Sequence, residues 1–297
     1  MLQLVFNPAA GKGRAKAALA TALAFFDERQ VPYALHTTEG AGDATRIASA
    51  TPPGSTVVAI GGDGTVHEVA KGLLQTGTAD GRTAGRSLGI LPLGSGDDFA
   101  FSLGLARDDL RSALERLLTA EPRLVDFGTV NSEPFFNAVG TGLDAEVAER
   151  VGASPRFLKG VSGYLYSVLG ALVHLREPHA RVLVDGALVH DGPCLLVTSQ
   201  NGPRSGGSFV FALEARPDDG MLDVVIAGKV GRLGALGLLP KVMQAKHLTH
   251  PAVQLRRGRN VRVEWSEPRP AHADGELLAT DAAYEVALHP RALPVLA

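Results

Sequence analysis

Thr56-Val57-Val58-Ala59-Ile60 runs directly into Gly61-Gly62-Asp63-Gly64-Thr65, and Val66-His67-Glu68-Val69 follows at once. A short β-branched run predicts a buried strand. The glycines that close it let the backbone fold tightly with no Cβ in the way. The periodic residues after Thr65 predict a helix over 66–74, whose first N–H groups would face a polyphosphate lying on the turn. Asp63 is the odd member, because a carboxylate beside phosphates repels them unless a cation or a proton transfer intervenes. It points to Mg²⁺ organisation or general-base chemistry. Taken alone, the five residues also fit a plain strand-to-helix turn with Asp63 as its N-cap.

Two similar turns flank this one. Upstream, a strand over 2–6 ends at Asn7-Pro8, with Gly11-Lys12-Gly13 and an Ala/Leu-rich helix to about Arg29 behind it. Asn7 can bond base, ribose or phosphate, and Lys12 offers a point charge; the P-loop spacing is absent. A strand over 31–37 and a helix over 43–49 come next. Downstream, a polar loop over 77–86 leads to a strand over 88–91 and then to Pro92-Leu93-Gly94-Ser95-Gly96-Asp97-Asp98. Ser95 could bond a phosphate, while Asp97 and Asp98 could hold Mg²⁺ or cap a helix. Strands alternating with helices predict an α/β domain over 1–124, with a doubly wound, mainly parallel sheet. Ligands of such sheets sit beyond the carboxyl ends of the strands, where all three turns fall.

After Leu124 the pattern changes to strand pairs: 125–130 with 135–139, and 181–184 with 187–190 around Asp185-Gly186. Further strands are expected over 195–199, 222–226, 260–265 and 284–288, and helices over 155–175 and 233–246. This predicts a second, β-rich and mainly antiparallel domain over 125–297, with the last residues free to return to the first domain.

Composition narrows the function. Hydrophobic residues make up 45% and charged residues 20%, which is the balance of a globular chain. A net charge of −2 provides no global field for nucleic acid. A single cysteine, Cys194, closes no intramolecular disulfide and fits a reducing cytoplasm. No stretch reads as a signal peptide or as a bilayer span, so the expectation is a soluble cytoplasmic protein, or one that touches the inner membrane face.

Taken together the turns resemble the diacylglycerol kinase catalytic-domain superfamily, which includes bacterial lipid kinases and the sphingosine and ceramide kinases. The likeness continues through Asn137-Ala138-Val139-Gly140-Thr141-Gly142-Leu143-Asp144, Asn201-Gly202-Pro203, Pro217-Asp218-Asp219-Gly220-Met221 and Asp274-Gly275-Glu276. The Gly-Gly-Asp-Gly-Thr string is shared with NAD kinases and 6-phosphofructokinases, so the later blocks discriminate. The resemblance implies ATP in a cleft between two domains, held by Asn7, Gly11, Thr38, Gly61, Gly62, Asp63, Gly64, Thr65, Glu68 and Ser95. It implies that Asp274 and Glu276 belong to the catalytic acids with Asp63, one of them deprotonating the acceptor. It also implies a structural Mg²⁺ held by Asp219 and the carbonyls of Arg216 and Met221. Three departures stand out: Asp97 where the family usually has Asn, Lys71 in place of a frequent Asn, and Ser95 where many bacterial members have Thr.

Phosphoryl transfer needs an in-line acceptor, charge neutralisation and a group to take the hydroxyl proton. Asp274 and Glu276, two apart on a turn, could share that role with Asp63; an ordinary solvated β-turn explains the same tripeptide in isolation. Glu68 would orient Asp63 or complement its own helix dipole.

Between Val224 and Val263 there is no Asp or Glu, while Lys229, Arg232, Lys241 and Lys246 fall among Leu233, Leu236, Leu239, Val242 and Met243. That segment could lie on an anionic bilayer. A core-packing helix with a solvated basic face is the competing reading, favoured by Pro240, which should interrupt the helix. The apolar stretch over 161–175, with Tyr164 and Tyr166, could wall an acyl-chain pocket or form a buried face.

The expected function is therefore transfer of the γ-phosphoryl group of ATP to a lipid hydroxyl such as that of diacylglycerol. ATP and a lipid would be the partners, and a transient membrane contact and a homodimer are compatible with the sequence. The alternatives are a kinase of a soluble acceptor, in the manner of NAD kinase, and a nucleotide-binding module without catalysis, which Asp97 motivates.

Overall fold

A computed structural model describes residues 1–75, 83–106, 109–152 and 161–297; the side chains of 12–14, 151–152 and 161–165 are not among those described. Most of the expected 77–86 loop, the start of the expected 155–175 helix, and the side chains of Lys12 and Tyr164 thus lie outside the described set. The chain forms two compact units. One comprises Met1–Phe127, Pro217–Asp219 and Pro290–Ala297, the other Gly128–Arg216 and Gly220–His289.

The first unit runs β1 (Leu2–Phe6), α1 (Arg14–Glu28), β2 (Tyr33–Thr37), α2 (Asp43–Ser49), β3 (Thr56–Gly61), α3 (Asp63–Gln75), β4 (Ser87–Pro92), α4 (Asp98–Ser102), α5 (Leu110–Thr119) and the start of β5 (Arg123–Val130). Its strands pair in parallel in the order β2-β1-β3-β4, with Val295 and Leu296 completing the far side of β4. Leu4, Val58, Ile60 and Leu91 have no exposed surface, as expected for a parallel sheet covered on both faces. α3 begins at Asp63, three residues before the expected start, so Asp63, Gly64 and Thr65 form the helix's first turn rather than a loop before it. Arg86, which the sequence did not single out, is buried. Its guanidinium donates to the carbonyls of Ser49 and Leu73, near the ends of α2 and α3.

The second unit holds the rest of β5, then β6 (Glu133–Phe135), β7 (Ala138–Gly142), α6 (Leu143–Gly152), α7 (Val161–Val173), β8 (His179–Val184), β9 (Ala187–Gln200), β10 (Leu222–Gly228), α8 (Gly231–Met243), β11 (Val253–Gly258), β12 (Asn260–Arg269), β13 (Ala271–Ala273), β14 (Glu276–Leu277) and the first part of β15 (Asp281–Leu296). Its strand pairings are antiparallel. The Asp185-Gly186 hairpin forms as expected, both residues at positive φ. β9 joins two layers: its first half pairs with β8, its second half with β7 and β10.

The period of two sorts the side chains between two cores. Leu222, Val224 and Ile226 of β10 enter the core between the sheets with Val182, Val197, Val263 and Trp265. Val225 and Ala227 turn the other way, into a core shared with α6, α7 and α8. Burial of such side chains is worth about 1.5–3 kcal/mol each.

Two expectations are corrected. The strand expected over 135–139 breaks at Phe136 and Asn137 into β6 and β7, because the backbone N–H groups there go to a side chain instead of a ladder. Pro240 lies inside α8 without ending it. It is exposed near the last turn, so the Leu236 carbonyl that loses its helical donor lies at an exposed position and few residues follow for a kink to displace.

Candidate active site

In the first unit the strand order reverses between β1 and β3, so the turns after these strands flank the switch point where open α/β sheets bind ligands. Asn7 joins them: its Nδ2 donates to Thr65 Oγ1 at 2.9 Å, and its Oδ1 accepts the Ala9 N–H at 2.9 Å. Gly61 is required by the same contact, since a Cβ there would sit 2.4 Å from Thr65 Oγ1.

The turns after β3 and β4 lie back to back. A Cβ on Gly62 would come 2.9 Å from Gly94 Cα, and one on Gly94 would come 2.7 Å from Gly62 Cα. Asp63 ties them together, its two oxygens accepting the N–H groups of Asp97 and Asp98 at 2.7 Å each. The carboxylate thus caps α4, a helix other than its own. Asp97 adopts the left-handed conformation (φ 51°, ψ 44°), and its Oδ1 accepts the Gly94 N–H at 2.8 Å. Both demands suit Asp and Asn alike, which gives the departure at this position a structural account.

Glu68 has a different task from the two expected of it. Its oxygens accept the N–H groups of Gly42 and Ala44 at 2.9 and 3.0 Å, at the N-terminus of α2. Thr38 is buried, its N–H donating to Phe6 O, while Gly64 and Ser95 are exposed at the mouth of the turns and Gly11 is half-buried with φ 63°.

In the second unit Asp274 occupies the left-handed region (φ 52°) between β13 and β14, followed by Gly275 (φ 90°). Asp274 Oδ1 accepts the N–H groups of Asn137 and Ala138 at 2.9 Å, and Oδ2 that of Phe136 at 2.8 Å. Both oxygens of the carboxylate are thereby committed to backbone donors. Around it, Asn201 Nδ2 donates to Phe136 O and Asn137 Nδ2 to Arg204 O, so the Asn137, Asn201 and Asp274 blocks brace one loop. Glu276, two residues on, is exposed, and its side chain makes no hydrogen bond or ion pair among the described residues.

A largely buried pair that the sequence reading missed sits behind this turn. His272 Nε2 lies 3.1 Å from Asp144 Oδ2, and its Nδ1 accepts the Gly275 N–H at 3.2 Å. Burial opposes the imidazolium, but the Asp144 carboxylate and then Asp274 raise the His272 pKa above its ordinary value. Gly140 makes the pair possible, as a Cβ there would meet Asp144 Oδ2 at 2.2 Å. His272 could have been found from its place two residues before Asp274 on a strand.

The core under α6, α7 and α8 leaves a cavity of about 60 Å³, lined by Leu143, Val168, Phe209, Val225 and Leu238. That is well below the roughly 300–1,000 Å³ of typical ligand pockets, so an acyl chain would have to part its walls. Tyr166 of α7 is exposed and faces away from the core.

Asp219 is exposed and belongs to a segment of the first unit, while Arg216 and Met221 belong to the second. A carboxylate and two peptide carbonyls are hard oxygen donors of the kind Mg²⁺ takes. Among the described residues no group of three His, Cys, Asp or Glu side chains gathers as a metal site.

Two family models match the chain: the diacylglycerol kinase catalytic domain over residues 1–130, and the YegS C-terminal NAD kinase beta sandwich-like domain over 137–297. A diacylglycerol kinase of Bacillus subtilis is 30% identical over 277 residues, covering 92% of this chain and 89% of its own. The crystal structure of a diacylglycerol kinase from Bacillus anthracis aligns with a TM-score of 0.72 at 21% identity, covering 99% of this chain and 96% of that one. An NAD kinase from Archaeoglobus fulgidus in complex with ATP aligns with a TM-score of 0.50 at 12% identity over 100% of this chain and 94% of that one. These structural likenesses establish the fold.

Proposed function

The chain belongs to the diacylglycerol kinase family and is a lipid kinase, a phosphotransferase with an alcohol acceptor, and from that footing we propose that it moves the γ-phosphoryl group of ATP to the free hydroxyl of diacylglycerol or a closely related lipid. The observation that supports the ATP half is the fusion of the turns after β3 and β4, beside the strand-order reversal between β1 and β3. Gly62 and Gly94 leave no room for a Cβ there, and the first turn of α3 opens beside them. N–H groups of that turn would take phosphate oxygens, with Asn7, Gly11, Thr38, Thr65 and Ser95 shaping the rim.

The three candidate acids divide the work by what each already holds. Asp63 and Asp274 are committed to backbone donors, so we assign them to positioning: Asp63 sets the phosphate turns, Asp274 sets the turn that presents Glu276. Glu276, with its lone pairs open, is the general base that takes the acceptor's hydroxyl proton as the oxygen attacks the γ-phosphorus in line. Glu68 supports the site indirectly, by fixing α2 against α3.

Mg²⁺, bound with the nucleotide, would neutralise charge on the phosphates. A second ion at Asp219 with the Arg216 and Met221 carbonyls would be structural. The apolar cavity is suited to an acyl chain once its walls open.

The test is Mg²⁺-dependent ADP release with a panel of diacylglycerol, a sphingoid base, NAD and a sugar phosphate. Diacylglycerol should stimulate release, and Glu276→Gln should lower kcat by about 10²–10⁴ while ATP still binds. Stimulation by NAD alone would move the acceptor to the soluble class, and ATP binding without turnover on any acceptor would remove the catalytic reading.

A further inference from the structure

We propose that the outward face of α8 is a docking surface for an anionic lipid bilayer, a proposal that deepens the lipid-acceptor reading while its binding test stands apart from it. α8 buries Ala235 and Leu238, with Leu239 and Val242 packed partly against the same core. Its opposite side is also apolar: Leu233 is 86% exposed, Leu236 43% and Met243 50%. Gly237 and Pro240, both exposed, fill the gaps between them. At about 100° per residue these five positions share one stripe. A helix apolar on every side belongs in an interior, yet half of this one meets solvent.

The cations say what covers it. Arg232 and Lys241 flank the stripe on its two sides, and Lys229 and Lys246 stand near its ends, all exposed. No acidic residue occurs from Val224 to Val263. Glu177, from the neighbouring connection, is turned inward, its Oε1 accepting the N–H groups of Val230 and Gly231 at 2.7 and 2.9 Å. An apolar stripe with a cationic rim fits acyl chains under anionic headgroups. A second copy fits worse, because two such faces meeting about a twofold axis would set like charges against each other. α7, packed against α8, also carries exposed apolar side chains, Tyr166, Leu169 and Val173. The inner face of α8 walls the apolar cavity, so one helix separates the bilayer from the space an acyl chain would enter.

The test is sedimentation of the full chain with phosphatidylcholine vesicles containing about a third phosphatidylglycerol, beside vesicles of phosphatidylcholine alone. Wild type is compared with Leu233→Asp/Met243→Asp, and turnover on a monomeric short-chain diacylglycerol checks that the variant is folded. Wild type should bind the anionic vesicles and lose most of that binding at about 0.5 M salt. The double variant should partition roughly 10- to 100-fold less, with soluble-acceptor turnover within about twofold of wild type. Arg232→Gln/Lys241→Gln keeps the test open if the aspartates unfold the helix; it should lose the preference for anionic vesicles. Variants that bind as wild type does would overturn the proposal. So would a wild-type dimer that ignores vesicles and dissociates on substitution. Vesicle binding by a wild type that turns over no acceptor would uphold the docking face and strike the kinase reading instead.

Discussion

Asp274 Oδ1 accepts the backbone N–H of Asn137 at 2.9 Å across 137 positions of sequence. That bond, with its partners at Phe136 and Ala138, joins the break between β6 and β7 to the turn that carries Glu276. A residue expected from sequence to be a catalytic acid therefore also holds the loop around it.

The two acids of that turn should respond differently to substitution. Glu276→Gln should leave the unfolding temperature near wild type, since the side chain has no partner to lose. Asp274→Ala strands three backbone N–H groups, each an unmade bond worth about 1–3 kcal/mol. It should lower stability measurably as well as abolish turnover. Thermal melts beside kcat measurements distinguish the two, and equal melts would refute the division of roles.

Gly94→Ala should disable nucleotide binding. The new Cβ would meet Gly62 Cα at 2.7 Å and Asp97 Oδ1 at 2.6 Å. Backbone cannot retreat as a side-chain tip can, so the turns must separate. ATP affinity by calorimetry should fall at least tenfold with a stability loss of about 1–3 kcal/mol; unchanged affinity would remove these turns from the site.

Asp97→Asn should be tolerated by the fold, because Asn also accepts from Gly94 and enters the left-handed region. Stability should shift by about 1 kcal/mol or less. Removing a negative charge beside the phosphate turn should tighten ATP binding. Weaker binding would show that the charge recruits a cation.

His272 makes stability depend on pH. Its folded pKa is raised above the ordinary value of 6.5, so the charged pair with Asp144 contributes fully below about pH 6.5. That contribution fades as pH rises through the raised value. Protonation gives up the bond from Gly275, but a charge-assisted bond to Asp144 is roughly twice as strong as a neutral one. The stability gap between wild type and His272→Gln should narrow with rising pH in denaturant titrations; a gap that widens would invert the assignment.

Cys194 should be inert in the folded chain. Burial pushes its thiol up to about 12, so almost no thiolate exists at neutral pH. Thiol-labelling reagents should react only after unfolding; fast labelling of native protein would show that the core between the sheets opens.

Local patterns were sufficient for much of the fold. Thr56 to Ile60 is largely β-branched and apolar, and the strand formed there, as did the Asp185-Gly186 hairpin. The glycine turns were legible for the same reason: backbone without Cβ is a property of each residue alone. Where the decisive partner was remote, the sequence misled or was silent. Phe136 and Asn137 look like strand because their own residue types permit it, and only a carboxylate far along the chain draws their N–H groups away. Glu68 could not be assigned to α2, nor His272 to Asp144, since neither pairing has any fixed spacing. α8 is the plainest case. Its residues announce a helix with apolar positions on every side, but which stripe is buried depends on where the β9 and β10 surface lies, and packing alone decides that.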